Sequence, residues 1–201
     1  MVREDDIHGS DDGHSEEDGD AADLLARSAR GDRRAFDEIV TRYGPVALRV
    51  AARLAPDRQS AEDIAQEAMV RIWRRADEFD TRRARFTTWL YRIVVNLCID
   101  LSRKPRPVAL PEDFDLVDPS AGAAERVEAD ERHAALVRAI DELPSGQRAA
   151  LTLVYDEGLS GAEAAQALGV STKAVERLLA RARARLRELL MARHERSEVG
   201  M

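Results

Sequence analysis

Lys173 and Arg177 stand four residues apart, one helical turn, in a stretch that is almost uniformly basic. Ser171 to Arg187 carries six bases and one acid. Ammonium and guanidinium groups spaced this way reach phosphates and the acceptor edges of bases. The preceding residues show how such a helix is presented. Gly161 to Leu178 reads as two helices joined at Gly169. Ala165 is the small residue that lets the helices approach, Gly169 tolerates a positive φ, and Ser171 is a natural N-cap. Val175, Leu178, Leu179, Ala182 and Leu186 share an inner face, while Lys173, Glu176, Arg177, Ala180 and Arg187 share the outer one. An ordinary amphipathic hairpin with a solvated basic face is the plainer reading. The Gly turn, the Ala contact and the charge asymmetry together favour a helix that enters a DNA major groove.

Other side chains with chemical potential lie in the first half. Asp63, Gln66 and Glu67 fall on one face of an expected helix, beside Val70, Arg71 and Arg74. Periodicity alone makes this a solvated strip of mixed charge. Asn96 offers both a donor and an acceptor, and its plain reading is a helix C-cap. Trp73, Phe86, Trp89 and Tyr91 sit at helical spacing, which assigns most of them to the core. The single cysteine, Cys98, lies in an apolar run and reads as a small buried hydrophobe. His8 and His14 meet no metal-ligand spacing. There is no Gly-rich phosphate loop and no nucleophile–base pair, so no catalytic residue, metal or cofactor is expected.

The 201 residues are 34% charged and 4% aromatic, with a formal net charge of −7. That charge is uneven. Met1 to Asp23 holds ten acids against Arg3, a net of −9, which leaves +2 for the rest. Arg71 to Pro107 carries ten bases and four acids. Residues 1–22 read as a disordered acidic tail, because they have too little apolar surface to offset ordering. Residues 23–104 read as one helical unit, with Phe36, Ile39, Val40 and Tyr43 on one face and a capping signal at Ser60. Residues 105–123 hold Pro105, Pro107, Pro111 and Pro119 and read as a flexible acidic linker. Residues 124–194 read as a second helical unit, with a stripe of Leu136, Ile140 and Leu143, and 195–201 as a tail. The fold expected is all-α, two small helical domains. No apolar run is long enough to span a bilayer, and the acidic start lacks the pattern of a signal peptide, so a cytoplasmic location is expected.

The order of these pieces resembles the extracytoplasmic-function subfamily of sigma-70 factors, which keep only sigma regions 2 and 4. Three stretches carry the resemblance. They are Ala61 to Glu67 with Arg71-Ile72-Trp73; Phe86 to Asn96 with Asp100 and Arg103-Lys104; and Leu143 to Arg148 with Gly158-Leu159-Ser160 and Val170 to Leu186. The resemblance implies a non-enzymatic subunit that directs RNA polymerase to promoters. It implies that Asp63, Gln66 and Glu67 contact the core enzyme at its β′ clamp, with region 4 on the β flap. It implies −10 contacts from Arg92, Asn96, Arg103 and Lys104, with Asn96 in a loop that captures a flipped base. It implies −35 contacts from Ser171, Thr172, Lys173, Glu176, Arg177 and Arg181. Many members carry Gly-Thr-Val-Lys-Ser-Arg where this chain has Lys173-Ala174-Val175-Glu176-Arg177-Leu178, so the −35 sequence read is not implied. The expected partners are core polymerase, promoter DNA and an anti-sigma factor, often membrane-tethered or zinc-containing, with no small-molecule substrate. A stand-alone helix-turn-helix regulator is the alternative that the residues leave open.

Overall fold

The computed structural model describes residues 11–80, 82–103 and 133–199, with side chains from 19 to 192 within those limits. All regular elements among the described residues are helical. Helix α1 spans Asp11–Ala29, α2 Arg33–Leu54, α3 Arg58–Arg74 and α4 Phe86–Ser102, with a 3₁₀ turn at Ala76–Glu78. Helix α5 covers 133–141. Helix α6 is Ser145–Leu151 and runs into a π-helical turn at Thr152–Asp156. Helix α7 is Gly161–Leu168 and α8 is Thr172–Val199.

Helix α1 corrects the expected tail, since it begins at Asp11, inside the segment read as unstructured. Three apolar side chains, Ala21, Leu24 and Leu25, are 5% exposed or less and anchor it to the rest. Acids near the start of a helix also suit its dipole. The next turn is tied at Asp32, whose carboxylate caps α2 through the Arg34 and Ala35 amides and accepts from Arg27 Nη2 at 2.8 Å. Helix α2 runs through Pro45 without stopping. Gly44, immediately before it, has no Cβ to meet the proline ring, which removes the usual pre-proline conflict with helix. The N-cap of α3 is Asp57, which accepts from the Ser60 amide at 2.7 Å, and not Ser60, which lies buried in the first turn. Phe86 opens α4 and is fully buried, edge-on to Tyr43 at 4.5 Å between centroids and 5.7 Å from Phe79.

In the second unit Ala139 and Leu143 are buried, but Leu136 is 38% exposed, so the expected stripe loses its first member. Ser160 and Glu163 form a reciprocal capping box at the start of α7. The two units do not stand apart. Their buried side chains form one continuous cluster from Ala21 to Val175, with α6 and α7 packed on α4 and α2. The linker residues 105–123 and the first residues of the second unit lie outside the described residues.

Candidate nucleic-acid interface

Gly169 adopts φ +67° at the C-cap of α7, the left-handed region that glycine enters without a Cβ penalty. The chain turns there, the Val170 amide donates to the Ala165 carbonyl at 3.0 Å, and Ser171 Oγ accepts from the Ala174 amide at 3.2 Å. Helix α8 therefore starts where the spacing predicts. Val175 is 1% exposed and Ala182 fully buried, while Leu178, Leu179 and Leu186 are half-buried, so the inner face is as expected. Ser171, Thr172, Lys173, Glu176, Arg177 and Arg181 are all exposed. Lys173, Arg177 and Arg181 form one row at four-residue spacing. This helix face presents its cations outward.

The first unit carries two further surfaces. On α3, Asp63 and Gln66 are exposed, and Glu67 is half-buried. Asp63 accepts from Gln59 Nε2 at 3.0 Å, and Glu67 from Arg71 Nε at 2.8 Å. Val70 and Trp73 beside them are 40% and 36% exposed, with the Trp73 ring edge-on to Phe36 at 4.7 Å. The strip thus carries acids, bases and two exposed apolar side chains together.

On α4, Arg92 and Asn96 are exposed one turn apart. Asn96 is seven residues before the C-cap, Arg103, so it neither caps the helix nor sits in a loop. Arg103 is exposed and 4.0 Å from Asp100. Lys104 lies outside the described residues. Sequence reasoning passed over the segment before α4. There Asp80 accepts from Arg82 Nη2 at 2.9 Å and lies 3.6 Å from Arg83. The Arg82 hydrogen bond holds the Asp80 carboxyl down at about 2. The Arg82 and Arg83 side chains are 87% and 86% exposed. The run Arg82-Arg83-Ala84-Arg85 was the available signal. Cys98 is buried, and burial pushes its thiol up to about 12. Among the described residues no cluster of His, Cys, Asp or Glu is placed to hold a metal ion, and no helix is long and apolar enough to cross a membrane.

Comparison with known proteins matches both units. Residues 39–107 match the family description Sigma-70 region 2, and residues 133–186 match Sigma-70, region 4. The ECF RNA polymerase sigma factor SigM of Mycobacterium tuberculosis is 40% identical over 171 residues, 84% of this chain and 84% of that protein. The RNA polymerase sigma factor CnrH of Cupriavidus metallidurans is 33% identical over 183 residues, 86% of this chain and 95% of that protein. Among solved structures, CnrH in complex with the cytosolic domain of CnrY matches with a TM-score of 0.61 at 33% identity, covering 86% of this chain and 98% of that one.

Proposed function

The chain belongs to the extracytoplasmic-function sigma factors of the sigma-70 family, and from that premise we propose which of its surfaces do the work of such a factor. A sigma factor joins core RNA polymerase and directs it to the −10 and −35 elements of a promoter. The outward row of α8 reads the −35 element in the major groove. Lys173, Arg177 and Arg181 supply donors, Ser171 and Thr172 sit at the helix N-terminus near the phosphates, and Glu176 accepts from a base edge. The exposed Arg92 and Asn96 of α4, with Arg103 at its C-cap and Lys104 next in sequence, read the −10 element. Because Asn96 is on a helix, it contacts a base from the helix face. Asp63, Gln66 and Glu67 dock on the β′ clamp, aided by the apolar Val70 and Trp73, and the second unit meets the β flap.

The observation that carries this reading is the Gly169 turn with its Ser171 cap, which presents a basic helix outward from a buried support. The protein acts in the cytoplasm, where the polymerase works, and by binding, not catalysis. CnrH is held by the cytosolic domain of CnrY in its solved complex. By the same logic an anti-sigma factor, membrane-tethered or zinc-containing, restrains this chain. The test is transcription in vitro with purified core polymerase on a promoter library. Promoter-specific transcripts that require the chain support the reading. Sequence-specific DNA binding by the isolated chain, with no effect on polymerase, would instead support a stand-alone regulator.

A further inference from the structure

Four arginines gather at one end of the first unit. Arg30 lies in the turn between α1 and α2, Arg33 and Arg34 open α2, and Arg74 closes α3. The Trp73 ring meets Phe36 edge-on, which brings the end of α3 to the start of α2. All four side chains are exposed, and among the described residues none of them forms a hydrogen bond or ion pair. Other arginines of this unit are tied down, Arg27 to Asp32, Arg58 to Glu62 and Arg71 to Glu67, each at 2.8 Å. The nearby exposed acids Asp37 and Asp77 pair with none of the four.

Arg33 and Arg34 also stand where a helix disfavours them. The first turn of α2 carries no acid, and the N-terminal end of a helix dipole is positive. Asp32 offers no relief, because its carboxylate is engaged by Arg27 and by the Arg34 and Ala35 amides. A local charge conflict that nothing in the chain offsets points to an outside partner. Arg30, Arg33 and Arg34 lie outside the span that matches Sigma-70 region 2.

The position of this corner selects the partner. Tyr43 meets Phe86 with 4.5 Å between centroids, and Leu54 and Cys98 line one cavity, so α2 and α4 run parallel. Asn96 is ten residues beyond Phe86, and Arg33 is ten before Tyr43. At ~1.5 Å per residue, about 30 Å separates Asn96 from Arg33 along the bundle. Exposed Arg82 and Arg83, between Phe79 and Phe86, stand partway. The chain leaves α4 at Arg103 for the unit assigned to −35, which puts upstream DNA at that end. The arginine corner is at the opposite end and faces downstream. About 30 Å corresponds to about nine stacked nucleotides at ~3.4 Å each, enough to run from the −10 element toward the start site. Guanidinium forks match phosphate oxygens. An acidic protein surface fits less well. A polymerase surface that complements Asp63 and Glu67 is basic, and its continuation would repel the corner.

We propose that the corner formed by Arg30, Arg33 and Arg34, with Arg74 beside it, holds the phosphates of promoter DNA downstream of the −10 element. This rests on the sigma-factor reading, which supplies the DNA and its direction.

The test uses the full chain bound to core polymerase and a promoter recovered from the library. Two fork-junction probes share its −35 and −10 elements. The short probe ends just after the −10 element, and the long one carries the non-template strand on to the start site. Affinity is measured against salt for wild type, for Arg33→Ala with Arg34→Ala, and for Arg33→Glu with Arg34→Glu. Losing two phosphate contacts should reduce the salt slope on the long probe by about 1.4, or by about 1.8 where that DNA stays duplex. The short probe should bind all three proteins alike. The Glu pair should lose more affinity on the long probe, yet melt no lower than wild type, because acids suit that helix end. Unchanged slopes on the long probe would overturn the proposal. So would an equal loss on both probes, which would assign the corner to polymerase contact or to the fold. Wild-type complex that shows no preference for the short probe over a scrambled one would sink the sigma reading and this proposal together. Normal wild-type preference with unaltered variants would sink this proposal alone.

Discussion

Arg177 is exposed, one turn from Lys173, on a helix face backed by buried Val175. A bidentate Arg–guanine contact is worth about 1–3 kcal/mol, so Arg177→Ala should lower transcription from −35-dependent promoters roughly 5- to 100-fold. An unchanged −35 base preference would remove Arg177 from the readers. Asn96 has an exposed helical position and no capping bond to lose. Asn96→Ala should leave the melting temperature nearly unchanged and slow open-complex formation, read by permanganate footprinting. A drop in stability equal to the loss in activity would mean that the residue serves the fold. Glu67 is held by Arg71 in the free chain, so a docking partner must compete with that pair. Asp63→Ala combined with Glu67→Ala should weaken affinity for core polymerase at constant helicity, and an unchanged dissociation constant would exclude the strip.

At the scale of elements, the sharpest prediction concerns the turn between α7 and α8. No atom lies within 4 Å of a Cβ built on Gly169, so the cost of Gly169→Ala is the backbone alone, about 1–2 kcal/mol for an L-residue held at φ +67°. A chemical melt of that variant should show it, and an unshifted midpoint would mean that the turn relaxes. This turn was legible because its residues answer local requirements that spacing exposes: Ala165, Gly169, Ser171, Val175. The capping box of Ser160 and Glu163 follows the same local rule and was available in the sequence, though unread. The misread elements are those decided by distant partners. Helix α1 extends to Asp11 because Leu24 and Leu25 find a core supplied by other helices. Leu136 is exposed although it shares a spacing with buried Leu143, a difference that periodicity alone does not register. The cap of α3 was misread for a local reason: the Asp57 carboxylate accepts from the Ser60 amide, so the helix starts one turn before Ser60. The strip on α3 was legible as a face, but its purpose was not, since periodicity cannot separate docking from solvation. Glu157 gave no signal at all, because a π-turn and a partner 108 residues away have no signature in local spacing.

Taken whole, the molecule is two units by sequence and one body by packing. The acid response follows from Glu157. Burial works to raise its carboxyl, but the hydrogen bonds from Arg49 and Tyr91 prevail and hold it below its ordinary value, with Arg53 of α2 adding to them. Asp156, on the same turn, lies 3.9 Å from Arg53. A depressed carboxyl stabilises the packing of the second unit on the first above the ordinary carboxylate range, and that advantage is lost as pH falls through the lower, folded value. Scattering should therefore show expansion on acidification below about pH 4.5, the range in which an unpaired carboxyl titrates. Glu157→Gln should flatten that dependence, and an identical expansion in both proteins would assign the response to other acids. The continuous cluster from Ala21 to Val175 also has a calorimetric consequence. Side chains shared between units couple their melting, so heating the native protein should give one endotherm whose van't Hoff and calorimetric enthalpies agree. Arg49→Glu should split it into two, the smaller belonging to the C-terminal unit.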